Sequence, residues 1–148
     1  MVANLYEEFI KLVERLKGLN KDYNKLYTLA KMLLEFFKVE TDLIELRERR
    51  YYLDDFVKLT VSCSGVRLEF TREVDADSLL VAHGLSTQIS SRQTIPRALY
   101  IVDNAPKLLR ALKNIEEEAE REGEALRRAL RELEDLVGIL AARRELQR

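Results

Sequence analysis

A mainly helical bundle with one antiparallel β-hairpin and a long coiled-coil-like C-terminal helix is the fold class this sequence predicts. Three patterns predict it. Leu108, Leu112, Ile115, Ala119, Glu122, Leu126, Ala129, Leu133, Leu136 and Leu140 follow one another at alternating spacings of four and three, with mostly Glu and Arg between. That 3.5-residue average period is the seam of a coiled coil or a long bundle helix. A second pattern alternates: Val57, Leu59, Val61 and Cys63 interleave with polar residues, as do Val66, Leu68 and Phe70. The third is a set of apolar stripes at helical spacing in the N-terminal third.

The stripe Leu5, Phe9, Leu12, Leu16 and Leu19 predicts a first helix that stops near Gly18, a residue type suited to a C-cap. Asn20 or Asp22 can cap a second helix carrying Leu26, Ala30, Leu33 and Phe37. Thr41 with Glu45 predicts a restart through Leu43, Ile44 and Leu46; a single helix from Asp22 to about Arg50 is the other reading. The hairpin is expected over about residues 56–72. With Ser64-Gly65 as a two-residue turn, Cys63 faces Val66, Val61 faces Leu68 and Leu59 faces Phe70, which puts the apolar residues on one face. Asp75 or Asp77 then caps a short helix through Ser78–His83, ended by Gly84. The stretch from Leu85 to Thr94 reads as a polar loop, Pro96 as the start of another short helix, and Asn104 as the start of the terminal one.

The chain reads as a single domain, 1–148, with a helical core plus hairpin to residue 104 and the long helix over 105–147. At ~1.5 Å per residue its stretch from Lys107 to about Arg144 alone is ~55 Å long, whereas a compact chain of this size has a radius of gyration near ~15 Å. The helix must project or find a partner. Glu116–Glu124 is mostly acidic, and Gly123 costs ~1 kcal/mol of helix propensity against alanine, so a bend is expected near 122–123.

Composition narrows the function classes. The net charge of -1, from 25 basic and 26 acidic residues, gives no bulk positive field for nucleic acid. A charged fraction of 34% suits the ion-pair-rich surface of a thermophile's protein. One cysteine forms no intrachain disulfide and favours a reducing compartment. No apolar run reaches the ~18 residues of a membrane span, and no leader pattern opens the chain. A cytoplasmic protein is expected.

Chemistry-bearing motifs are few. The one histidine, His83, sits before a glycine at a helix end, where an imidazolium interacts with the helix dipole. Cys63 reads as a buried thiol beside the turn. One thiol and one imidazole cannot fill a zinc site, a di-iron bundle needs two Glu-x-x-His pairs, and no phosphate-cradling glycine loop is present. Asp54-Asp55 precede the hairpin and need carboxylates from elsewhere to hold Mg²⁺. No catalytic residue, metal or cofactor is expected.

The segment from Leu79 to Arg92 resembles a helix-turn-helix: a short helix, a glycine, then a Ser/Thr/Gln-rich stretch ending in arginine. The resemblance implies phosphate or base-edge contacts from Ser86, Thr87, Gln88, Ser91 and Arg92, with Arg97 nearby. Separately, the order helix, hairpin, coiled-coil helix over Asp22 to Thr71 and the terminal helix is similar in outline to prefoldin subunits. Val74 to Asn104 departs from that plan, and the similarity is one of shape alone.

The expected function is therefore non-enzymatic: a homo-oligomeric assembly or adaptor protein, a homodimer or higher, associating through Leu126, Ala129, Leu133, Leu136 and Leu140. Arg127, Arg131, Glu132 and Glu134 would set the register. The alternative is a nucleic-acid-binding accessory protein using residues 85–97.

Overall fold

The computed structural model describes residues 2–43, 47–88 and 92–146. Among them the chain is mainly helical, in the order α1 (Val2–Phe36), β1 (Arg49–Tyr52), β2 (Val57–Ser62), β3 (Gly65–Phe70), α2 (Ala76–Ala82), α3 (Thr94–Asp103) and α4 (Ala105–Leu146).

Instead of stopping near Gly18, α1 runs unbroken through it to Phe36. Leu16 and Leu19 are buried on either side of this exposed glycine, and their burial outweighs the ~1 kcal/mol propensity cost of one glycine. The helix ends instead at Lys38, whose φ of 56° lies in the left-handed region. The Val39 N–H donates to the Leu34 carbonyl at 3.0 Å and the Lys38 N–H to the Glu35 carbonyl at 3.1 Å. This is a Schellman cap built on lysine rather than glycine. Neither the restart at Thr41 nor the single helix to Arg50 forms, since Thr41–Leu43 and Arg47–Glu48 are not helical and Arg49 opens a strand. Ile44, Glu45 and Leu46 lie outside the described residues.

The hairpin forms as β2 and β3, and β1 extends it to a three-stranded antiparallel sheet in the order β1-β2-β3. Its register differs from the expected one by two residues: Val61 pairs with Val66, Leu59 with Leu68 and Val57 with Phe70. Cys63-Ser64, between the paired Ser62 and Gly65, form the turn. A two-residue slip leaves every side chain on its original face, so hydrophobic alternation cannot distinguish the two registers. Cys63 is consequently exposed at the turn rather than buried. The β1 strand places Arg49 and Tyr51 opposite Val61 and Leu59.

Asp75 caps α2, its carboxylate accepting from the Ser78 N–H at 3.2 Å and the Ser78 hydroxyl at 2.8 Å. Gly84 follows with φ 71°, as a chain leaving a helix requires. Pro96 lies in the first turn of α3, where a missing N–H costs nothing. The Asn104 carbonyl accepts from the Leu108 N–H at 3.0 Å, and so opens α4 directly behind α3.

The chain divides into two compact units. One contains α1 up to Val13 and Glu48–Glu116. Its core is the buried face of β2, with Val57, Leu59 and Val61, together with Leu12, Leu108 and Leu112 from the helices. On the opposite face of the sheet Thr60 is buried too, donating to Glu69 at 3.3 Å beneath Lys58 and Arg67, which both pair with Glu69.

The other unit contains Glu14–Arg47 and Glu117 onward. Tyr23 donates to Glu122, Lys25 pairs with Glu134 at 2.9 Å, and Arg144 lies over the Phe36 ring at 5.5 Å. Partner numbers rise together, so the helices run parallel. Leu16, Leu19, Ala119, Leu126, Leu130 and Val137 are buried here. Beyond Phe36 the chain doubles back, and the Tyr27 hydroxyl donates to the Asp42 carbonyl.

Candidate functional site

The α4 helix carries the expected assembly residues, and its phase decides which of them remain available. From Leu108 to Ala119 the buried positions follow the predicted seam. After Ala119 the phase moves by one residue: Gly123 is buried instead of Glu122, and Leu130 and Val137, 7% and 5% exposed, take the places expected of Ala129 and Leu136. Glutamate resists burial, and its carboxylate stays half-buried where it meets Tyr23. Gly123 has no side chain to displace, and a Cβ there would stand 3.5 Å from Leu19 Cδ2. No break in the helix occurs at 122–123.

This shift separates the five expected residues. Leu126 is buried within its own unit. Ala129, Leu133 and Leu140 are half-buried, and Leu136 is 41% exposed, with Ile139 beside it at 54%. At 100° per residue, Ala125, Ala129, Leu136 and Leu140 share one stripe of α4, adjacent to the buried one. Met32 and Phe37 are also exposed in this unit.

A polar cluster in the other unit ties α3 and α4 to the turn before β2. The Asp54 side chain is 1% exposed. Its Oδ1 accepts from the backbone N–H groups of Phe56 at 2.7 Å and Val57 at 2.8 Å, and its Oδ2 from the Tyr100 hydroxyl at 2.5 Å. Lys107 Nζ stands 3.8 Å from Oδ2. Burial pushes the Asp54 carboxyl up, but these donors together outweigh it and hold the group below the usual carboxylate range. Burial and the carboxylate at its tip push the Tyr100 phenol well above its ordinary value. The Tyr100 ring packs against Phe56 at 5.1 Å and Phe70 at 5.9 Å, with Arg72 over Phe56 and Arg97 over Phe70. The carboxylate's acceptor capacity is committed to holding three chain segments together. The sequence singles out Asp54 but not its partner, because Tyr100 lies 46 positions away.

The helix-turn-helix likeness is not reproduced over Leu85–Gln88, while Ile89–Ser91 lie outside the described residues. The α2 helix and Gly84 stand where expected, but Leu85–Gln88 form an exposed turn rather than a second helix. Ser86, Thr87 and Gln88 therefore sit on a loop, with the Ser86 hydroxyl accepting from the Gln88 N–H; Ser91 lies outside the described residues. Arg92 pairs with Glu73 at 3.6 Å, and Arg97 is half-buried over Phe70. The run of short polar side chains offers the backbone local hydrogen bonds that compete with a helix. His83 closes α2, its Nε2 lying 2.9 Å and 3.0 Å from the Asp103 carboxylate oxygens at the end of α3.

In the sheet-bearing unit, an apolar cavity of about 230 Å³ lies between α1, the sheet, α3 and α4, lined by residues including Leu5, Phe9, Leu68, Ile101 and Leu112. Among the described residues no group of three or more His, Cys, Asp or Glu is placed to hold a metal ion. No described helix is long and apolar enough to cross a membrane. Comparison with protein-family models, with curated proteins and with solved structures gives no match to this chain.

Proposed function

We propose that this chain is a non-enzymatic assembly or adaptor protein that self-associates through α4. The observation that carries the reading is the exposed pair Leu136 and Ile139, continuous with half-buried Ala129, Leu133 and Leu140 on a helix whose other apolar stripe is already buried. Leaving such a stripe in water forfeits roughly 25 cal/mol per Å² of apolar area, and a second helical surface recovers it. A cytoplasmic setting fits a lone exposed thiol with no second cysteine to pair with.

Light scattering coupled to size exclusion tests this. The wild-type chain should elute as a dimer or larger species, and Leu136→Asp should shift it toward the monomer with unchanged helical circular dichroism. A monomeric wild-type mass at high micromolar concentration removes the reading.

A further inference from the structure

We infer that the occupant of this α4 stripe is a second copy of the same chain, its α4 running antiparallel about a two-fold axis between Glu132 and Leu133. The inference rests on the proposed self-association and adds the partner's orientation. Its basis is how charge and side-chain size are distributed along the stripe that the phase shift leaves outside the buried seam. Read along α4, the stripe begins with acidic Glu122, continues with small Ala125 and Ala129, then large Leu136 and Leu140, and ends with basic Arg143. At 100° per residue these six positions lie within about a sixth of the helix circumference.

Antiparallel pairing about that axis sets each position against its complement. Ala125 faces Leu140 of the partner subunit, and Ala129 faces Leu136 of the partner subunit, so small meets large twice in each half. Glu122 faces Arg143 of the partner subunit. At the flank of the stripe, Arg128 lies within one helical turn of Asp135 of the partner subunit. Because the arrangement is isologous, every such contact occurs twice. Parallel in-register pairing does the opposite. It opposes Glu122 to Glu122 and Arg143 to Arg143, and it leaves a gap where alanine meets alanine. Opposite charges flanking an apolar seam select orientation in paired helices, and like charges reject it.

The test uses the full chain with Cys63→Ser, into which Ala129→Cys and Leu136→Cys are introduced separately. Under mild oxidation an equimolar mixture should give mainly the mixed disulfide dimer, with each variant alone cross-linking little. Cross-linking of each variant to itself, with no excess of the mixed product, overturns the antiparallel orientation while leaving self-association intact. A wild-type chain that is monomeric by light scattering overturns both. A dimer that forms without any of these cross-links places the interface elsewhere and overturns the inference. A charge swap provides a second readout at exposed positions that do not threaten the fold. Arg128→Asp and Asp135→Arg should each weaken the dimer about fivefold, and the double variant should restore it. Equal weakening in the double variant counts against the pairing.

Discussion

The Tyr100 hydroxyl on α3 donates to Asp54 Oδ2 in the turn before β2, and so joins segments 46 positions apart through a carboxylate that is almost fully buried. Tyr100→Phe removes that donor while keeping the ring against Phe56 and Phe70. Leaving the oxygen short of a donor should cost about 1–3 kcal/mol, measured by urea unfolding. A loss below about 0.5 kcal/mol would show that Lys107 or water replaces the hydroxyl without penalty.

The same carboxylate sets an acid limb. Its folded pKa lies below the unfolded value, so its contribution is complete above the ordinary aspartate range and drains as pH falls through the folded value. Asp54→Asn should lower stability at pH 7 and flatten the dependence below pH ~4. Parallel stability–pH curves for the two proteins would assign the acid sensitivity to other groups.

Glu8 and Glu116 give the opposite sign. Their carboxyls approach each other between α1 and α4, and the hydrogen bond with Glu116 raises the Glu8 pKa, followed by burial and repulsion. A raised folded pKa means stability that is present at low pH and lost as pH rises through it. Glu8→Gln keeps a hydrogen-bonding amide and removes one charge. It should raise the melting temperature at pH 7, with the gain shrinking toward pH 4. A lower melting temperature at neutral pH would refute this account.

Gly123, Gly138 and Lys38 carry helix-backbone penalties that substitution can remove. A Cβ at Gly123 meets Leu19 and Arg127 at ordinary contact distance, and one at Gly138 meets nothing. Gly123→Ala and Gly138→Ala should each stabilise the chain by about 1 kcal/mol. Lys38→Gly should add a similar amount by relieving the left-handed φ at the end of α1. Chemical denaturation reads all three, and destabilisation by Gly123→Ala would mean that the helices approach more closely there than 3.5 Å implies.

Leu130 and Leu136 distinguish the two stripes of α4. Leu130→Ala should cost about 2–5 kcal/mol of chain stability, as a buried truncation does. Leu136→Ala should change the stability of the isolated chain by less than about 1 kcal/mol and act on association instead. Equal losses at both positions in monomeric protein would contradict the assigned phase.

What the sequence made legible was periodicity, and what it concealed was phase and distance. The alternation from Val57 to Phe70 identified a hairpin and its buried face, yet a slip of two preserves alternation, and the turn settled on Cys63-Ser64. The heptad spacing identified α4, but it was blind to the choice between Glu122 and Gly123, which depended on what α1 presents opposite. Gly18 looked like a terminus because one glycine is a local signal, whereas the burial of Leu16 and Leu19 that overrides it is a tertiary fact. The β1 strand was missed because Arg49-Arg50 carries no apolar alternation; it forms by pairing with β2. The Asp54 cluster was beyond local reading altogether, since its partners come from α3 and α4.

The parallel course of α1 and α4 also bears on how this chain is made. Tyr23 and Glu122, which meet where the helices pair, are 99 positions apart, so α1 waits for α4 to be synthesised before the two can pair. Until then Leu16, Leu19 and the apolar residues after them have no cover, and closing so long a loop is slow. A nascent chain of this design carries an unpaired amphipathic helix for as long as the ribosome takes to reach α4.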